Sequence, residues 1–175
     1  MKAKILILLI CIGLGACSKK KLTKDEASIL LSKEKGYPRT IDFEIFTADP
    51  THAKKLLDAN LENDGYVRIQ RTQKLGDVGN PLVTFTEKAK PFLLPLSHEE
   101  LKVSVQKVKI ADESILEIES IMEDGNAGTM EVSYTTNYTN RTPFAVLVKN
   151  TDKPKNLLAT FRNDDGKWIL AKNKN

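Results

Sequence analysis

The chain has 175 residues, 27 Lys and Arg against 23 Asp and Glu, and a net charge of +4. With 41% hydrophobic and 29% charged residues, it carries the apolar material for one ordinary domain or two small ones, which excludes a disordered chain and a polytopic membrane protein. So small a charge excess, with aromatics at 6%, argues against nucleic-acid binding, and two Cys and two His leave little material for metal or thiol chemistry.

The first element is the uncharged run ILILLICIGLGA, residues 5–16, behind the basic start Met1-Lys2-Ala3-Lys4. It falls short of the roughly 20 apolar residues a spanning helix needs and has the length and flanks of a secretory signal. It closes on Leu14-Gly15-Ala16-Cys17, which resembles the lipobox of bacterial lipoproteins. The resemblance implies a diacylglycerol on the Cys17 thiol, cleavage by signal peptidase II between Ala16 and Cys17, and acylation of the new amino group. Small Gly15 and Ala16 let a protease approach the backbone closely, and two or three acyl chains hold a protein to a bilayer firmly. Cys11 leaves with residues 1–16 and Cys17 is alkylated, so a disulfide, a Cys-ligated zinc and a cysteine nucleophile are excluded. Residues 17–24 form a lipidated tether, where Lys19, Lys20, Lys21 and Lys24 each add about 1 kcal/mol beside anionic head groups or serve as a solvated spacer. Ser18, where an inner-membrane retention signal has Asp, implies the outer membrane facing the periplasm, or the cell membrane in a single-membrane host.

The mature chain divides into residues 25–96 and 97–175. In the first part, Thr23 and Glu26 read as a capping box. Ala27, Leu30, Leu31 and Glu34 share one helical face, and Gly36 and Pro38 stop the helix. Ile41, Phe43 and Ile45 alternate over residues 39–46, as a short strand or an extended connector. Asp49-Pro50 opens a second helix, with Ala53, Leu56, Leu57 and Leu61 at helical spacing and an end at Gly65. Segments 66–73 and 82–86 then read as a hairpin with a long loop, followed by a short helix from Thr86 broken by Pro91 and Pro95.

After the separator Ser97-His98-Glu99-Glu100, strands dominate. Residues 101–110 alternate and then shift phase between Val105 and Val108, as a bulge requires. In 114–122, Leu116, Ile118 and Ser120 fall on one face, with Ile115 and Ile121 near the other. Residues 129–139 alternate at Met130, Val132, Tyr134, Thr136 and Tyr138 as a half-buried strand. Pro143 makes the start of 141–148 an edge or loop. Residues 157–163 and 168–171 form a hairpin across Asp164-Asp165-Gly166-Lys167, with Trp168 as its apolar anchor. The fold class expected is α+β: an N-terminal helical segment with a winged-helix-like hairpin, then a C-terminal antiparallel β-sheet.

Over residues 23–93, the order of helix, LENDGYV, hairpin and TEKA resembles the second half of a winged-helix domain, with 76–81 as the wing tip. Because acids surround Arg68, Arg71 and Lys74, it reads as a packing module and not as a DNA reader. The ATF-x3-DGKW ending, residues 159–168, resembles the last hairpin of small curved-sheet lipoproteins with cystatin-like or nuclear-transport-factor-like folds, which implies binding in a sheet concavity.

Catalytic signatures such as GxSxG, HExxH, Walker A and GxGxxG are missing from the sequence. His52 reads as a solvated first-turn residue, and His98 with Glu99 and Glu100 as a surface cluster. No enzyme activity, cofactor or metal is therefore expected. Tyr134, Tyr138, Arg141 and Phe144 form the candidate binding patch, since aromatics and Arg dominate interface hot spots. The function expected is that of a non-enzymatic, lipid-anchored envelope lipoprotein whose partners are the membrane and another envelope protein, as adaptor, inhibitor or immunity factor. A small-ligand or lipid carrier using the sheet concavity is the alternative.

Overall fold

The computed structural model describes residues 21–125 and 128–171. The signal segment, Ala16 and Cys17 lie outside the described residues. The fold is α+β, two α-helices with a dominant, mostly antiparallel sheet curled into a half-barrel.

Helix α1 (Lys24–Lys35) starts where the capping box places it: the Thr23 side chain accepts the Glu26 N–H at 3.2 Å. It ends at Gly36, whose φ of 71° is the left-handed conformation that favours glycine. The chain is fixed even before α1, because Leu22, read from sequence as part of the tether, is buried. Residues 39–46 are a true strand, β1 (Arg39–Phe46).

Helix α2 (Pro50–Asp58) begins with Asp49 accepting the Thr51 N–H at 2.7 Å and stops well short of Gly65. Asn60 takes φ 59°, its N–H bonds to the Leu57 carbonyl, and the Leu61 N–H reaches back to Leu56. This is a Schellman stop with Asn in the glycine position, sealed by buried Leu56 and Leu61. The hairpin strands β2 (Val67–Ile69) and β3 (Val83–Phe85) are three residues each and form their own two-stranded sheet. On the open edge of β2 the Glu62 carboxylate takes the Ile69 N–H at 2.7 Å and pairs with Arg71 at 2.5 Å.

The main sheet has the order β1-β4-β5-β6-β7 and is antiparallel throughout. Its spine is β4 (Val105–Glu123), one 19-residue strand where the sequence suggested two. β5 (Thr129–Thr139), β6 (Lys155–Asp164) and β7 (Lys167–Leu170) follow as a meander. Asp165 and Gly166 both have positive φ, as the tight β6–β7 turn demands. Segment 141–148 is a 3-10 turn, Pro143–Leu147, not a strand.

Three irregularities in β4 set its facing. Ile110 is extra opposite β1, and Leu116 and Glu119 are extra opposite β5. Each added residue reverses the alternation once. Ile115, Ile118 and Ile121 therefore face one core at a spacing of three, and Leu116 is turned outward, 55% exposed. That overturns the face read from simple alternation, in which Leu116, Ile118 and Ser120 stood together.

Two apolar cores lie along β4. The first joins Ile45, Leu56, Leu61, Val67, Val83, Val108, Ile110 and Phe144. The second joins Leu31, Tyr37, Ile118, Val132, Tyr134, Phe161 and Trp168. Helix α1 packs in the second core, against β4 and β7, so it does not join α2 in the helical layer a winged helix would need. β1 pairs with β4 across the boundary read at residue 97.

At that boundary Ser97 and Glu100 cap each other, Ser97 N–H to the carboxylate at 2.7 Å and Glu100 N–H to the hydroxyl at 3.3 Å. Lys107 and these Ser97 bonds pull the Glu100 pKa down to about 2. A carboxylate depressed on folding contributes stability above its unfolded pKa and loses it as pH falls through the folded value. The expected result is that Glu100→Gln is less stable than the parent at neutral pH. The difference should shrink between about pH 4.5 and pH 2, as read by thermal melting across that range.

Candidate functional site

The four patch residues chosen from sequence do not share a surface. Tyr134 is 1% exposed in the second core and Phe144 is 0% exposed in the first. Tyr134 belongs to the inward row of β5, and the turn that begins at Pro143 carries Phe144 under the hairpin, against the rings of Tyr66, Phe85 and Phe92. Tyr138 is half-buried and Arg141 is exposed. The patch is thus reduced to those two.

The structure assembles a polar seam between the two cores. Register places Arg39 of β1, Glu113 of β4 and Tyr138 of β5 in one cross-strand row. Glu113 is 1% exposed. One carboxylate oxygen accepts Arg39 Nε at 2.8 Å and Nη2 at 2.7 Å, and the other accepts the Thr136 hydroxyl at 2.8 Å. The Arg39 guanidinium lies 5.0 Å from the Tyr37 ring, which meets Tyr134 edge-on at 6.5 Å. Burial works against the charge of Arg39, but the bonds and charge of Glu113 outweigh it and raise its pKa. Burial, then the hydrogen bond with Tyr37, raises the pKa of Tyr134. Burial, then the Glu113 charge, does the same to Tyr138. A carboxylate with both oxygens committed is a structural tie.

Beside Tyr138 a cavity of ≈ 580 Å³ is lined by Lys149, Asn150, Lys153, Pro154 and Lys155. Composition alone did not mark these residues, because surface lysines are common and the 149–155 segment has no motif. Pro154 is the sequence-visible sign of a fixed turn there, and in the structure Asn150 takes φ 61°.

A second feature lies at the end of the molecule where β1 stops and β4 begins. Thr47 gathers three loops: its N–H and hydroxyl donate to the Ser104 carbonyl at 2.7 and 2.9 Å, and its carbonyl accepts the Leu82 and Val83 N–H groups. Phe46, Leu75, Val78, Leu101 and Val103 on these loops and the adjoining strand end are all exposed. An adjacent groove of ≈ 340 Å³ runs between α2 and the hairpin, floored by Ala53, Leu57, Ile69 and Leu82. His52 is not a solvated side chain: its Nδ1 accepts the Phe46 N–H at 3.0 Å, and its ring sits near those of Phe43 and Phe46.

Among the described residues no cluster of three or more His, Cys, Asp or Glu is placed to hold a metal, and no helix is long and apolar enough to cross a membrane. Comparison with protein-family models, with curated proteins and with solved structures finds no match to this chain.

Proposed function

We propose that the chain is a non-enzymatic envelope lipoprotein, held to the membrane through lipid on Cys17, that binds another envelope protein with the loop end gathered by Thr47. The observation that carries the reading is the exposure of five apolar side chains there, led by Leu75 at 93% and Val78 at 72%. Isolated exposed apolar residues are ordinary on a protein surface, but a set of them on neighbouring loops beside a groove marks an interaction surface. Position supports it. The start of α1 lies against Ile115–Ile118, whereas Phe46 pairs with Val105, about 30 Å away along β4 at about 3.3 Å per residue. An anchor ahead of α1 leaves this end free to reach a partner. Carriage of a ligand inside the sheet has less support, since α1 and the rings of Tyr134, Phe161 and Trp168 occupy that side.

Two measurements test the two parts. Cys17→Ala should leave an unprocessed precursor that takes up no labelled palmitate, and unchanged labelling removes the anchor from the proposal. A photo-crosslinker at Val78 or Leu101, in the full chain in its own host, should join one envelope protein. The product should vanish with Leu75→Asp and should not form from the exposed Leu158 on the sheet. Crosslinking that ignores Leu75→Asp, or that is equal from Leu158, refutes the loop end as the docking surface.

A further inference from the structure

The cavity beside Tyr138 has a chemistry of its own. Lys149, Lys153 and Lys155 border one space and are exposed. None of the three has a carboxylate partner among the described residues, whereas Lys102, Lys107 and Lys109 are each paired with an acid. The one acid of the segment, Asp152, does not line the cavity. Like charges gathered around a hollow repel one another, and an anion placed among them relieves that repulsion.

We propose that this cavity binds a phosphorylated sugar, free or carried as a lipid head group. Three flexible ammonium groups act as point charges suited to the oxygens of a phosphate. A volume of ≈ 580 Å³ exceeds the need of a bare phosphate and falls in the range of small-molecule sites. The remaining wall supplies what a sugar requires. Tyr138 contributes part of its side chain to the wall, and Asn150 an amide that both donates and accepts. Tyr138 is held on β5 opposite the fixed Glu113. The site is distinct from the loop end proposed to meet a protein.

Hydrogen exchange on the full chain in detergent tests the site, with glucose 6-phosphate and glucose as the two probes. Exchange in residues 149–155 should slow with glucose 6-phosphate and not with glucose. The pair Lys153→Ala and Lys155→Ala should weaken binding at least about ten-fold, as expected for two lost charge-assisted bonds, with an unchanged melting temperature. A second arm places the chain in phosphatidylcholine vesicles with and without lipid A. Protection from lipid A without added ester identifies a lipid head group as the source, and protection from the soluble ester alone identifies a free sugar phosphate. Equal response to glucose, a response that the double variant retains, or no response to either phosphorylated probe overturns the proposal.

Discussion

Arg39→Ala is expected to lose about 3 kcal/mol of folding stability, because it leaves a buried carboxylate without the half-exposed guanidinium that held it. The stranded group is Glu113, 1% exposed, which would keep the Thr136 hydroxyl and lose both guanidinium bonds. The opposite change should be milder. Glu113→Gln removes the buried charge, preserves volume and an acceptor for Thr136, and leaves an Arg39 side chain that is 44% exposed and able to turn to water. Its expected cost is about 1–2 kcal/mol. Urea unfolding of both variants measures the asymmetry, and a Glu113→Gln cost equal to that of Arg39→Ala would show that the seam is not governed by desolvation of the carboxylate.

Phe144→Ala is the second large effect, about 3–5 kcal/mol. The ring is 0% exposed, with its centroid 5.8 Å from that of Tyr66, 6.2 Å from Phe85 and 6.3 Å from Phe92. These neighbours belong to the hairpin and the turn that follows it, and one removed ring leaves a void that none of the three can fill alone. Arg141→Ala, three residues earlier and exposed, should stay within about 0.5 kcal/mol. Thermal melting of the two variants side by side separates a core aromatic from a surface cation. A small drop for Phe144→Ala would return that ring to the list of contact residues.

Local chemistry made much of the fold legible. The Thr23 cap, the Gly36 stop, the Asp49-Pro50 start and the Asp165-Gly166 turn depend on neighbours within a few residues, and each sits where the sequence puts it. The end of α2 was not legible, because Asn60 takes the left-handed role more usual for Gly65. Bulges were read less well: the phase shift between Val105 and Val108 falls in continuous register and the extra residue opposite β1 is Ile110, while the alternation over 114–122 gave no sign of the extra residues Leu116 and Glu119 opposite β5. Tyr134 and Phe144 look like interface residues in sequence, since large amphipathic and aromatic side chains serve cores and contacts equally well. The lysine-lined cavity was the least visible, being assembled by a turn that carries three ordinary surface residues beside a tyrosine of another strand.

The packing of α1 bears on the order in which the protein can be completed. Ala27 and Leu31 are buried in the same core as Phe161 and Trp168, which come much later in the sequence. Synthesis proceeds from the N-terminus, so α1 emerges long before the surface it covers exists. Short helices are marginal alone, and an apolar face awaiting its partner is exposed to wrong associations meanwhile. β1 waits likewise for β4, while β4 to β7 can assemble as sequential hairpins. The newborn chain therefore holds α1 and β1 unpartnered until later strands emerge, and closing the β6–β7 hairpin completes the core in which α1 rests.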